Sequence, residues 1–283
     1  MENVIACIDG SSAAISVSRY AAWAAQRMGA ALTLLHVLDE NRYPAKSELS
    51  GNIGLGSQEA LLDELAELDE KRAKLALQQG HLMLDKAHNS VAEEIPQIAI
   101  NSRQRHGQLV DTLLDIEPET RLTVLGLHGE EHEQGDHIGS QLETILRRVH
   151  RPVLLVPDNF NAPSSVLLAF DNSETTRKGV QMVAASPLLK GLPVHVVMVG
   201  AASDDHHSAL QWAVETLQQQ GHDAKAELLA GDVEASIHQY QQQHQLDLLV
   251  MGAYGHSRIR QLLVGSTTTK MLETSASPLL VLR

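Results

Sequence analysis

One cysteine, Cys7, stands in 283 residues, so the chain can form neither an internal disulfide nor a multi-cysteine metal site. Aromatic residues make up only 3%, which removes the stacking platforms that single-strand nucleic-acid binders use. Basic residues are outnumbered 22 to 35, giving a formal charge of −13 and arguing against contact with a phosphate backbone. The deficit is uneven: residues 1–160 hold 14 basic and 24 acidic side chains, the remainder 8 and 11. No apolar run approaches the ~20 residues of a membrane span, and Met1-Glu2-Asn3-Val4-Ile5 lacks the pattern of a secretory leader. The expectations are therefore a cytoplasmic location and no nucleic-acid or membrane partner.

What is present is a core-forming chain, 43% apolar, written twice. Val4–Asp9 recurs as Val166–Asp171, and Leu34-Leu35-His36-Val37 is matched to Pro193-Val194-His195-Val196. Leu122–Gly126 recurs as Leu248–Gly252, and Arg151–Val156 as Ser277–Leu282. The last two share an offset of 126 while Asp9 to Asp171 is 162, so the first copy carries about 36 extra residues. These fall in a polar loop, Asn41 to Ser57, and a long helix from Gln58 to about His88 with leucines at 61, 62, 65, 68 and 75. That helix is expected to cover core or a neighbouring surface. Pro157 to Ser164 has boundary composition, which divides the chain into 1–160, with its insertion at 41–88, and 161–283.

Short apolar runs buried on both faces alternate with amphipathic stretches such as Ser11–Met28 before Gly29 and Ser208–Gln220 before Gly221. The fold class expected is α/β, with two tandem doubly wound, Rossmann-like domains.

The second copy carries Gly252-x2-Gly255-x9-Gly265-Ser266-Thr267 after its fourth strand. Glycines admit an anion close to the main chain, and a helix starting at Ser266 would offer unpaired N–H groups. Arg258 and Arg260 add positive charge, and Asp171 ends the first strand at the same edge, suited to a metal or a ribose hydroxyl. The first copy keeps Asp9, Gly126, Gly129, Gly139 and Ser140, but its nine spacer residues contain Glu130, Glu131, Glu133 and Asp136 and no Lys or Arg. At an effective dielectric of ~20, one such charge ~7 Å from a phosphate costs roughly 2 kcal/mol before screening. Gln141 and Leu142 also replace Thr267 and Thr268.

This spacing, with an acid after the first strand and a His-Val pair in the second, resembles the universal stress protein family in tandem form. The resemblance implies five-stranded parallel sheets of the adenine nucleotide alpha hydrolase type and, in one branch, bound ATP. Asp171 and Val196 would flank the adenosine. Met251, Gly252 and Gly255 would line ribose and phosphates, and Gly265, Ser266 and Thr267 would hold the phosphates. The corresponding first-copy positions are Asp9, Val37, Gly126, Gly129, Gly139 and Ser140. The function this implies is a stress-response sensor or adaptor that binds ATP, with or without Mg²⁺, in the second domain. Alternatives are a weak Mg-dependent ATPase or another nucleotide-dependent enzyme, and a nucleotide-free interaction protein. No residue pattern supplies a general base beside an attacking water, so any hydrolysis is expected to be slow.

Four other patterns have blander readings. His128, His132, Asp136 and His137 read as a solvated acidic loop rather than a zinc site. His206-His207 reads as an exposed loop pair, and His36 and His195 as equivalent structural histidines. Cys7 reads as structural. Apolar last strands, Pro152–Val156 and Pro278–Leu282, invite edge pairing, so an intrachain pseudo-dimer is expected, with a homodimer and an unidentified protein partner as further expectations.

Overall fold

The computed structural model describes residues 2–39, 57–127, 140–252 and 277–282, with the side chains of 57–63 and 140 left aside. The first half runs β1 (Asn3–Cys7), α1 (Ala14–Met28), β2 (Ala31–Asp39), α2 (Ser57–Glu94), β3 (Ile100–Gly107), α3 (Leu109–Asp115), β4 (Thr120–Gly126), α4 (Ser140–Arg148) and β5 (Val153–Val156). The second runs β6 (Val166–Ala169), α5 (Glu174–Ala185), β7 (Val194–Val199), α6 (Asp204–Gln219), β8 (Ala224–Leu229), α7 (Val233–Gln243), β9 (Leu248–Gly252) and β10 (Leu279–Leu282). Each half is a five-stranded parallel sheet wound in both directions from its first strand.

The two sheets are continuous. Their order is β3-β2-β1-β4-β5-β10-β9-β6-β7-β8, and β5 meets β10 antiparallel. Leu280 lies opposite Leu154, one repeat offset of 126 away, and Leu279 and Val281 lie opposite Leu155 and Val153. A local twofold therefore passes through the Leu154–Leu280 pair, because equivalent residues face each other there. Both partners are buried, as are their strand neighbours.

Alternation along the strands divides the core into two layers, both crossing that joint. Ala6, Leu34, Val124, Leu154, Leu168, Val196, Val250 and Leu280 point to the α1, α2, α5 and α6 side. Ile5, Leu35, Leu155, Val197, Leu249 and Val281 point to the other side. The connection between halves is pinned to α1. The Ser16 hydroxyl donates to the Pro157 carbonyl at 2.6 Å, the Ser12 hydroxyl to Asp158 at 2.9 Å, and the Asn161 amide to the Tyr20 hydroxyl at 3.2 Å. Phe160 packs edge-on against Tyr20, and Arg27 donates to the carbonyls of Leu188 and Lys190 in the second half.

Several readings need correction. The pattern at Ser208–Gln220 is helical, but α6 lies between β7 and β8 and so corresponds to α2. The counterpart of α1 is α5, whose mixed composition hides its apolar face. The pair His206-His207 sits in the first turn of α6 rather than in a loop, with the half-buried His206 ring bonded to the Ala201 carbonyl at 2.8 Å. The long insertion helix is real, but Leu65, Leu68 and Leu75 do not cover core; they are 45%, 54% and 64% exposed. Its buried face is Ala76, Gly80, Leu84, Ala87 and Val91, in the last five turns. Gly80 permits that docking, since a Cβ there would stand 2.5 Å from the His36 ring.

The strand histidines are not equivalent either. Val4 pairs with Leu32 and Val166 with Val194, so sheet register places His36 opposite Met198 in the repeat and His195 opposite Thr33. Two His-Val dipeptides three residues out of phase produced the apparent match. His36 is buried, and its Nδ1–H donates to the Ile8 carbonyl at 2.8 Å.

His195 is buried under α7, where its Nδ1 and the Tyr240 hydroxyl share a hydrogen bond at 3.2 Å and His244 stacks edge-on at 5.4 Å. Burial first, then Lys225 and His244, push its pKa below the ordinary value near 6.5, against a small opposing effect of Asp223. The unfolded chain therefore binds this proton more readily than the folded one. Stability is fully present above pH about 6.5 and is lost as pH falls through the lower folded value. Urea titrations of His195→Phe should show a shallower loss between pH 7 and 5 than the parent. His238, shifted down by burial as well, keeps the remaining slope. Equal slopes would show that His195 does not titrate differently on folding.

Candidate functional site at the strand ends

In each half the chain leaves the first strand in one direction and the fourth lies on its other side, which opens a crevice between their carboxyl ends. The first crevice lies between β1 and β4 and the second between β6 and β9. Asp9 and Asp171 follow β1 and β6 by two residues, while Gly126 and Gly252 are the last residues of β4 and β9. The structure thus brings Asp171 and Gly252, and separately Asp9 and Gly126, to neighbouring strand ends.

The Asp171 carboxylate is held in place. Its Oδ1 accepts from the Ser173 amide at 3.0 Å and the Thr176 hydroxyl at 2.7 Å. Ser173 caps α5 by accepting from the Thr176 amide, and its preference for that cap explains why the helix starts here. Asn172 takes φ 63°, a left-handed turn residue that aims its side chain at Arg177, whose Nε donates to Asn172 Oδ1 at 2.7 Å. The Arg177 guanidinium lies 4.3 Å from the centre of the Trp212 ring. A positive group and an aromatic face therefore lie close to this strand end, and neither was legible as a site from sequence.

Gly252 is buried directly beneath α5. A Cβ built on it would stand 3.3 Å from the Thr176 methyl and 3.4 Å from that of Thr175. The lack of a side chain lets the end of β9 lie close under the first turn of α5. Met251 is buried in the layer opposite α5.

Val196 is misassigned by the repeat matching. It is fully buried in the middle of β7, paired with Leu168. By register the residue matching Val37 is Val199, half-buried at the end of β7, near the His206 ring that packs on Gly200. The signal was available in the spacing of Val4 and Val166 to their partner strands, which the His-Val match overrode.

The first crevice differs within the described residues. Asp9 accepts from the Ser11 amide at 3.1 Å and from its hydroxyl, the same turn as Asp171–Ser173. However, α1 has Ala13 at its cap with no side-chain bond, and Asp158 stands beside Ser12. A second carboxylate thus lies at this edge in addition to Asp9. Gly255, Arg258, Arg260, Gly265, Ser266 and Thr267 lie outside the described residues. So do Gly129, Gly139 and the histidines at 128, 132 and 137. Ser140 begins α4, and Val37 lies in β2. Among the described residues no three metal-ligating side chains gather into a metal site, and no helix is long and apolar enough to cross a membrane.

Burial raises the Cys7 thiol far above its ordinary pKa, with Asp9 adding to the shift, so it is a packed apolar side chain and not a nucleophile at neutral pH.

The family model described as the universal stress protein family matches this chain twice, over residues 1–157 and 164–283. A universal stress protein of Synechocystis sp. PCC 6803 is 38% identical over 292 aligned positions, covering all of both chains. One from Mycobacterium tuberculosis is 24% identical over 64% of this chain and 61% of its own length. Among solved structures, a universal stress protein from Archaeoglobus fulgidus covers 99% of this chain and 96% of its own, with a TM-score of 0.68 at 16% identity. A sheet wound twice from a repeated strand followed by Asp, a family model that matches each half and a relative 38% identical from end to end place the chain in the universal stress protein family, with two such domains in tandem.

Proposed function

We propose that the second domain binds ATP or a related adenine nucleotide and that the protein acts in stress response as a nucleotide-dependent sensor or adaptor. The observation that carries this reading is Gly252, a residue without a side chain ending β9 under α5, beside an Asp171 carboxylate fixed by two hydrogen bonds. A cradle that a single Cβ would fill fits the close main-chain approach of a phosphate ester. Asp171 and Val199 suit the nucleoside, while Met251, Gly252 and Gly255 suit ribose and phosphates. Arg258, Gly265, Ser266 and Thr267 supply charge and donors for the phosphates by their place in the sequence. Mg²⁺, if bound, would neutralise the phosphates with Asp171 near at hand.

The first domain is read as diverged for this ligand. Its spacer has four acids in the stretch of sequence where the second copy has Arg258 and Arg260, and Asp158 adds a carboxylate beside Ser12. Slow or absent hydrolysis goes with this reading.

The test is nucleotide analysis of the denatured protein purified without added ligand, paired with titration calorimetry against ATP. One nucleotide per chain with micromolar affinity is expected. Two per chain would refute the asymmetry, and none with no heat of binding would favour a nucleotide-free interaction protein. Steady phosphate release exceeding that of Gly252→Val would favour the ATPase reading.

A further inference from the structure

Helix α2 has 38 residues, more than its place in the sheet requires. Its contact with the body begins at Ala76, and of the side chains described from Glu64 to Leu75 all are exposed except Ala73, which is half-buried. The turns of α2 before Ala76, an arm of residues 57–75, span about 28 Å at 1.5 Å per residue, and their described part, from Glu64 on, faces solvent. A helix of this length is marginal alone in water, and this one displays large apolar side chains to solvent. Leu65, Leu68, Leu75 and Leu82 are 45%, 54%, 64% and 69% exposed. With Arg72 and Gln79 they follow alternating steps of three and four, the spacing of a coiled-coil seam, and the sequence extends that spacing back to position 61.

We propose that this arm is a dimerisation element, pairing antiparallel with the arm of a second copy of the chain. Charge distribution selects that partner and that direction. The arm is acidic towards its start, with Glu64, Glu67, Asp69 and Glu70, and basic after it, with Lys71, Arg72 and Lys74. Two antiparallel copies set Glu64 of each at the flank of the seam beside Lys71 of the other, with Glu67 and Glu70 at outward positions. Two parallel copies would stack Arg72 on Arg72 in the seam and set Glu64 against Asp69 across it.

Length fixes the register. Layering Leu65 of one copy on Leu68 of the other centres the pair between residues 66 and 67. That overlap runs from 57, the first residue of α2, to 76, so each arm stops where the other body begins. The same register brings Glu64 beside Lys71 of the second copy, twice by symmetry. A one-layer slip towards the body would oppose Lys71 to Lys71 and Asp69 to Asp69. The exposed i, i+4 pair of Lys71 with Glu67, at 3.9 Å, is weak enough to rearrange.

Sedimentation velocity of the full chain across nanomolar to micromolar concentration is the experiment. The parent should be a dimer, and Leu65→Glu with Leu68→Glu should sediment as a monomer with an unchanged thermal transition of the body. Glu64→Lys and Lys71→Glu should each weaken dimerisation roughly tenfold, and the two together should restore it. Restoration separates this pairing from a general loss of helix, which the double variant would not repair. A monomeric parent, as would follow if another segment of the chain covered the leucines, overturns the proposal. So does a dimer indifferent to the leucine changes, or one not rescued by the double charge exchange.

Discussion

Replacing Gly252 with valine is expected to weaken ATP binding at least about a hundredfold, equivalent to about 2.7 kcal/mol. The new Cβ would lie 3.3–3.4 Å from the Thr175 and Thr176 methyls, and the two γ-methyls have no space between β9 and α5. Relief must come from displacing the first turn of α5, which carries the Thr176 hydroxyl that orients Asp171. One substitution would therefore fill the main-chain cradle and misplace the carboxylate. Overpacking should also cost about 1–3 kcal/mol of stability, so affinity is to be measured by calorimetry well below the unfolding temperature. Gly126→Val, at the matching position of the first domain, should leave ATP affinity within about twofold. Equal losses from the two variants would show that both crevices bind.

The second large effect concerns the joint. Leu280→Asp places a carboxylate opposite Leu154, in a layer shared by both halves, where neither residue is more than 3% exposed. Urea denaturation should register a loss of about 4 kcal/mol, because a buried unpaired polar group and a lost leucine act together. Gln211→Ala, on the exposed face of α6, should stay within about 0.5 kcal/mol. Since the core layers and the α1 contacts to the connection cross the joint, the parent should unfold in one transition. Two well-separated transitions in the parent would contradict that continuity.

The repeat was legible because buried parallel strands tolerate little but Val, Leu, Ile and Ala, so β1 and β6, β4 and β9, and β5 and β10 stay alike. The doubly wound class followed from alternation with helices, and the crevices from the acid and the glycine at strand ends. Other features were not legible for physical reasons. The face of α2 that docks is made of Ala76, Gly80, Leu84, Ala87 and Val91, four of them smaller than leucine, which lets the helix lie close to β2 and β3. Leucine spacing drew attention to the half of the helix whose described leucines, Leu65, Leu68 and Leu75, are exposed. The register of β7 was lost to a dipeptide coincidence, and only pairing to β6 shows that Val199 ends the strand. Asn172 and Arg177 act through a left-handed backbone turn and a ring in α6, relations that no linear spacing announces.

Because β5 and β10 saturate each other, the ten strands leave just two rims among the described residues, β3 and β8. Neither rim is a flat apolar ribbon. The one at β3 carries Arg103 and Arg105, engaged by Glu119 and Asp115, and the one at β8 carries Lys225 and Glu227. Accretion of further strands would have to desolvate those charges. Internal closure therefore gives the tandem chain protection against amyloid-like growth that a single unit with a bare Val-Leu-Leu-Val border would lack.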